Sequence, residues 1–237
     1  MDLECISRTH VGLRRKVNED SMLVRTDRGL WAVADGMGGH DAGDVASSRV
    51  TEALLHLPIV YGLDDLVDSA IAAIVRVNHE LIALAASEDG QRTIGSTVAG
   101  LAIVGPQFRC FWAGDSRVYR IRGGQITRLT RDHSLVQDLV DAGMLEPQEA
   151  EGHPNANVVT RAVGVAEQLR MDTSSGDVRS GDQFLLASDG LTRLVDDSEL
   201  AAELTSRRPA EAAESLIETV LSRGAPDNVS IIITKVI

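Results

Sequence analysis

The sequence predicts an α+β fold, an antiparallel β-sandwich covered by helices and built as one domain. Three observations carry that prediction. Short apolar strand segments separated by Gly/Asp turns outnumber the helical segments, leaving too few crossover helices for a regular parallel doubly wound sheet. Some of those segments are apolar at both parities, as strands covered on both faces are. The chain's 237 residues are 43 % hydrophobic, which suits one large domain with a substantial core.

In chain order, Glu4–Thr9, Ser21–Thr26 and Leu30–Ala34 read as strands. A helix is expected over about Ala42–Leu57. Val67, Ile71, Ile74, Asn78, Leu81 and Ala85 then recur at steps of three and four, giving one mostly apolar helical stripe. Thr97–Val104 is apolar at both parities and reads as a strand covered on both sides. Phe108–Trp112 follows, then Arg117–Ile121 and Gln125–Thr130, which flank Arg122-Gly123-Gly124, a hairpin signal. Gln183–Ala187 is a further strand. Ala213, Leu216, Ile217 and Val220 mark a helix over Ala210–Leu221, and Asn228–Val236 closes the chain as a strand with Ile231–Ile233 at its centre. No repeat, low-complexity segment or interdomain linker interrupts the series.

Charge narrows the function. The formal net charge is −12, which argues against a nucleic-acid or anionic-membrane binder, since both need clustered positive charge. It also implies that an anionic substrate is repelled unless cations sit in the site. Cys5 and Cys110 lie in apolar stretches with no histidine pair nearby, so they read as free thiols in or near a core, not as a zinc site. No signal peptide is legible, and the apolar runs fall short of a membrane span. A cytoplasmic chain without membrane insertion is expected.

Four aspartates hold similar local positions. Leu30–Ala34 runs into Asp35-Gly36, Phe184–Ser188 into Asp189-Gly190, and Phe111–Gly114 into Asp115, while Asp227 immediately precedes the apolar run after Asn228. Glu19 and Asp20 add two carboxylates beside an early strand. Singly, each reads best as a turn or capping residue. Together, carboxylates converging at strand ends would be forced to take up protons unless cations lay between them. An all-oxygen set suits Mg²⁺ or Mn²⁺. Two such ions about 3.5–4 Å apart can acidify a bridging water and neutralise a phosphate. No Gly-x-Ser-x-Gly elbow offers a protein nucleophile. Asp35-Gly-Met-Gly-Gly-His40 lacks both the P-loop ending and the dinucleotide spacing.

Seven motifs then appear in order: Arg15-x-x-Asn18-Glu19-Asp20, Asp35-Gly-Met-Gly-Gly-His40, Thr93-Ile-Gly-Ser-Thr97, Ala113-Gly-Asp-Ser-Arg117, Leu129-Thr-Arg-Asp-His-Ser134, Ala187-Ser-Asp-Gly190 and Asp227-Asn228. The series resembles the bacterial branch of the metal-dependent protein phosphatase family, type 2C, from about Ile6 to Ile233. The resemblance implies a four-layer αββα sandwich, two antiparallel sheets flanked by helices, with metals in the cleft between the sheets. It implies a single catalytic domain over residues 1–237, with a flap at about 135–164. It implies two or three Mn²⁺ or Mg²⁺ ions per chain. Asp35 bridges two of them and Gly36 offers a carbonyl; Asp189 and Asp227 bind the first metal, and Glu19 contacts the second. Asp115, with Asp189, corresponds to a third and weaker site. Asp20 and Asn228 are expected to support this set, Asn228 by a hydrogen bond to Asp227.

By the same resemblance Arg15 is the phosphate-binding arginine, selected over Arg14 by its spacing from Glu19; a guanidinium grips two phosphate oxygens at once. The activity implied is serine/threonine phosphoprotein dephosphorylation by direct attack of a metal-bridging water, with Asp35 and Asp189 central. Animal members carry a histidine right after Asp-Gly, proposed as the general acid; here Met37 stands there. His40, His133 and a metal-bound water remain alternatives for that role. Arg161 reads as pairing with a core carboxylate or touching substrate. Implied partners are phosphoserine and phosphothreonine proteins and a cognate Ser/Thr kinase, with the chain acting as a monomer. A pseudo-phosphatase that only binds phosphoproteins, and a hydrolase of small phosphoesters, are the competing readings; retention of the metal aspartates and Arg15 argues against the first.

Overall fold

A computed structural model describes residues 2–38, 42–87, 93–150 and 152–237. Its strands are β1 (Leu3–His10), β2 (Asp20–Arg25), β3 (Leu30–Met37), β4 (Gly95–Ser96), β5 (Val98–Val104), β6 (Gln107–Ala113), β7 (Arg117–Arg122), β8 (Gln125–Arg128), β9 (Asp172–Asp177), β10 (Gln183–Ala187) and β11 (Val229–Val236). Its helices are α1 (Ala42–Leu55), α2 (Leu63–Ser87), α3 (Leu135–Asp141), α4 (Asp189–Thr192), α5 (Asp197–Ser206) and α6 (Pro209–Ser222).

The strands form two sheets, ordered β1-β11-β10-β7-β8 and β2-β3-β5-β6-β9, with short β4 beside β3. All nine pairings are antiparallel. Between the sheets lies an apolar layer: Trp31, Val33, Leu101, Phe108 and Cys110 from one side, Val118, Phe184, Leu186 and Ile232 from the other. Phe108 and Phe184 meet edge-to-face across it, centroids 5.2 Å apart. α1 and α2 cover the outer face of the second sheet around Ala32, Ala34 and Phe111. α4, α5 and α6 cover the first around Leu185, Ile231 and Ile233. The arrangement is the four-layer αββα sandwich that the resemblance implies, and β5 is buried on both faces as its doubly apolar sequence requires.

Two sequence expectations change. β9 carries Asp172-Thr-Ser-Ser-Gly-Asp177, which has no apolar alternation; it pairs with β6 as an edge strand half-open to solvent. α2 runs 25 residues and is long and apolar enough to cross a membrane by length and composition, contrary to the expectation that no segment reaches that length. Leu66, Val67, Ala70, Ala73, Ile74, Val77 and Leu81 instead face the core. Asn78, on the same stripe, is buried because its Oδ1 accepts the Gly164 N–H at 2.7 Å and its Nδ2 donates to the Ala166 carbonyl at 2.8 Å.

Candidate metal centre

The sheets deliver the acidic residues to one place. Asp189 opens α4 directly after β10 and Asp227 directly precedes the neighbouring β11. Asp115 lies in the turn from β6 to β7. Asp35 lies inside β3, not past its end, and opposes Asp20 in the β2–β3 register. Arg15, Glu19, Asp35, Gly36, Asp115, Asp189 and Asp227 all line a cleft of about 340 Å³, together with Met37, Thr97, Asn157, Val159 and Arg193.

Two glycines make the convergence possible. A Cβ on Gly190 would stand 1.8 Å from the Asn228 carbonyl oxygen, so only glycine lets α4 press against the chain at Asp227. A Cβ on Gly36 would stand 1.9 Å from the Gly43 carbonyl oxygen, at the start of α1.

Burial governs the electrostatics. It drives the Asp35 carboxyl well above the ordinary carboxylate range, and the charges of Asp189, Asp20 and Asp115 push the same way. Burial raises Asp115 to about 7, assisted by Asp189 and opposed by Arg193. It also raises Asp20 to about 7 against the hydrogen bond from Ser188. Asp189 and Glu19 are raised by burial, opposed by Arg193 and Arg15 respectively.

Arg15 donates to Asp227 Oδ2 at 2.8 Å and stands 3.8 Å from Glu19 Oε2. Its side chain is 47 % exposed, so its guanidinium can meet a ligand from solvent. Asp227 Oδ1 accepts the Asn228 backbone N–H at 2.8 Å. The Asn228 side chain does something the sequence did not show. Its Oδ1 accepts the Glu19 N–H at 2.8 Å, and its Nδ2 donates to the Val11 and Val17 carbonyls at 2.8 and 3.0 Å. It thus fastens segment 11–18, which carries Arg15, to the start of β11.

Hydroxyl groups support the acids. Ser188 Oγ donates to Asp20 Oδ2 at 2.8 Å and accepts the Ser230 N–H at 3.0 Å. The Asp35 N–H donates to Thr97 Oγ1 at 3.0 Å, and Ser96 Oγ donates to the Asp35 carbonyl at 3.1 Å. Ser96, Thr97 and Ser188 lie inside quoted motifs, but only the fold assigns them a partner. Arg193 and Asn157 lie in no motif. Arg193 stands between Asp189, at 2.9 Å, and Asp115, at 3.5 Å, where a third ion was expected.

His40 lies outside the described residues. His133 is 6 % exposed and does not line the cleft. Its Nδ1 accepts the Gly114 N–H at 3.1 Å, its Nε2 meets Asp172 at 3.1 Å, and its ring stacks on Trp112. That is the setting of a structural turn. Arg161 pairs with Asp172 at 2.9 Å, a half-exposed carboxylate of edge strand β9 and not the core carboxylate expected.

Cation fit can be judged from these atoms. Asp20 Oδ1 and Asp189 Oδ1 are buried with no hydrogen-bond partner, a costly state unless a proton or a cation satisfies them. Among the described residues, no three His, Cys, Asp or Glu side chains stand in a ready metal-ligating group, and Asp227 and Asp189 pair with Arg15 and Arg193. The charge imbalance outweighs that geometry: two guanidinium groups face Glu19, Asp20, Asp35, Asp115, Asp189 and Asp227. The donors are all oxygen, and the set suits hard divalent cations such as Mn²⁺ or Mg²⁺.

Comparisons with known proteins agree. The family model described as Protein phosphatase 2C matches residues 5–229. Serine/threonine protein phosphatase PstP of Mycobacterium tuberculosis is 37 % identical over 235 residues, covering 99 % of this chain; the chain spans 45 % of that relative's length. A solved structure of PppA, described as a key regulatory component of T6SS in Pseudomonas aeruginosa, superposes with a TM-score of 0.92 at 43 % identity, covering 99 % of this chain and 98 % of that one. The catalytic domain of serine threonine protein phosphatase PstP in complex with two manganese ions superposes at 0.87 with 35 % identity, covering 98 % and 97 %.

Proposed function

The chain belongs to the protein phosphatase 2C family, and on that premise we propose that it is a metal-dependent serine/threonine phosphoprotein phosphatase acting through the cleft at Asp35. One observation carries the reading: Glu19, Asp35, Asp189, Asp227 and the Gly36 backbone share a cleft with a half-exposed arginine, Arg15. Bound there, two divalent ions supply an acidified water and neutralise the oxygens of a phosphate.

The chain's own residues prepare that chemistry. Asp35, Asp189, Asp227 and the Gly36 carbonyl would hold the ions, with Glu19 at the second. Asp20 and the Ser188 hydroxyl fix the floor beneath them. Arg15 is held now by Asp227. An entering phosphate competes for that guanidinium and takes it in a two-oxygen grip, while Asp227 keeps the Asn228 N–H. Asn228 maintains the mount of Arg15 throughout. We take residues 1–237 to act as one catalytic domain with a flap at about 135–164. The reading extends to phosphoserine and phosphothreonine proteins as substrates, which the names of the serine/threonine phosphatase relatives support, and to an opposing Ser/Thr kinase and a monomer in the cytoplasm.

Hydrolysis of p-nitrophenyl phosphate and a phosphothreonine peptide tests this. Activity is expected with Mn²⁺, none with EDTA, and about a thousandfold less in Asp189→Ala. Metal-independent turnover, or full activity in the variant, overturns the site.

A further inference from the structure

Arg193 makes contacts that the proposed chemistry does not use. It follows α4, four residues after Asp189. Its Nη2 is 2.9 Å from Asp189 Oδ2 and 3.5 Å from Asp115 Oδ2. The same nitrogen is 3.5 Å from the Ala156 carbonyl, and Nη1 meets Asn157 Oδ1. One guanidinium therefore joins two acids of the cleft to a segment that is mostly solvent-exposed. Arg193 and Asn157 also form a shared wall. On one side lies the acidic cleft; on the other lies a cavity of about 430 Å³ bounded by Val136, Val140 and Pro147 of segment 135–164 and by Arg117.

We propose that Arg193 is a positioning residue, a fixed cation that ties segment 135–164 to the acidic site and takes the place between Asp115 and Asp189 that a third divalent ion would otherwise hold. The physical ground is competition for the same charge. Asp115 is 7 % exposed and the side chain of its neighbour Asp189 14 %, so a cation between them is strongly favoured. A guanidinium in the chain fills that need at no entropic cost of capture, and its planar fork can serve carboxylates and a carbonyl together. An ion at the same place would have to displace Arg193, and with it the link to Ala156 and Asn157. The inference rests on the two-ion reading of the cleft.

The test counts bound Mn²⁺ by equilibrium dialysis and atomic emission, and follows amide exchange over residues 153–160, where the Ala156 and Val158 N–H groups bond to the His153 and Asn155 carbonyls. Wild type is expected to hold two ions. Arg193→Ala is expected to hold three, returning to two when Asp115→Asn is added, with exchange over 153–160 rising about tenfold, the size of one lost charge-assisted contact. Arg193→Lys keeps the charge without the fork, so it should hold two ions yet exchange faster than wild type. Three ions in wild type, or two in Arg193→Ala with unchanged exchange, overturns the assignment to Arg193. A wild type that binds no Mn²⁺ instead removes the metal reading itself. Should Arg193→Ala fail to fold, ion count and exchange in Arg193→Lys decide the matter by the same criteria.

Discussion

Two segments reach the acidic cleft, and they are held by different physics. Segment 11–18 carries an ion pair of its own, Arg15 to Asp227 at 2.8 Å, but its main chain is fastened by neutral hydrogen bonds: the Asn228 side chain bonds Val11, Val17 and the adjoining Glu19, and the Leu13 N–H donates to the Ala225 carbonyl at 2.8 Å. Segment 135–164 carries Asn157 and Val159. Its ends are tied by main-chain bonds, Leu135 to Val158 and Val163 to Ser96, but across its middle the tie to the site is the Arg193 guanidinium. Neutral bonds hold regardless of local charge. An ionic tie answers to whatever cations or anions share the site. The phosphate-facing arginine thus sits on a fixed mount, while the opposing segment is coupled to the charge state of Asp189 and Asp115.

Asp189 lies between the two segments, being bonded to Arg193 and placed by Gly190 beside Asp227, the partner of Arg15. Asp189→Ala should lower kcat on p-nitrophenyl phosphate with Mn²⁺ on the order of a thousandfold, the scale of losing a preorganised electrostatic group. Activity within tenfold of wild type would show that neither segment is organised around this carboxylate.

Removing metal should expose the charge dependence directly. Asp20, under the first segment, and Asp115, under the second, each titrate at about 7 because burial disfavours their charged forms. Both folded values lie above the unfolded one, near 4. The folded state therefore binds more protons between about pH 4 and 7, and unfolding becomes easier as pH rises through that window. The stability these groups contribute is complete below pH 4 and lost by about pH 7. In EDTA, the thermal midpoint should fall from pH 5 to pH 7.5, and Mn²⁺ should restore it at pH 7.5. Asp20→Asn should flatten the slope. A midpoint that rises with pH in EDTA would mean that the paired carboxylates, such as Asp172 and Asp182, set the profile.

The two segments also differ in what they offer substrate. Arg15→Ala should cut kcat/KM roughly a hundredfold, since a bidentate charged grip is lost, with Arg15→Lys recovering only part. Asn157→Ala, measured in parallel with a phosphothreonine peptide, should stay within about threefold, because Asn157 acts through Arg193. Equal losses would erase the distinction.

The sequence showed the frame of this comparison better than its fastenings. Strands such as Val98–Val104 and Val229–Val236 were legible because a doubly covered strand must be apolar. Asp35, Asp189 and Asp227 were legible because Asp follows or precedes such strands. β9 was not, because Asp172-Thr-Ser-Ser-Gly-Asp177 at a sheet edge needs no apolar face. The α5 helix was missed although Asp196 caps it, accepting the Ser198 and Glu199 N–H groups. Arg193 and Asn157 left no local signal, since a contact across 36 residues depends on how the chain returns, not on spacing. Asn228 was legible as a partner of Asp227, and its main-chain N–H makes that bond, but nothing local showed that its side chain binds residues more than 200 positions away.

That second role supplies the last and smallest prediction. If Asn228 only braced Asp227, its truncation would cost activity with little loss of stability, since the Asp227 bond uses the Asn228 main chain. The structure says otherwise. Asn228 is 4 % exposed, and Asn228→Ala leaves the Glu19 N–H and the Val11 and Val17 carbonyls without their partner. Unmade hydrogen bonds at a site this closed cost about 2 kcal/mol in sum, after water reaches some of them. Urea unfolding should show that loss, whereas Asn157→Ala, on the exposed segment, should stay within about 0.5 kcal/mol. Asn228→Asp keeps one acceptor for Glu19 but loses both donors and adds a seventh charge to the acidic cleft, so it should be no more stable than the alanine variant without metal. A neutral Asn228→Ala would mean that segment 11–18 is held no more firmly than segment 135–164, and that the two walls of the cleft are alike.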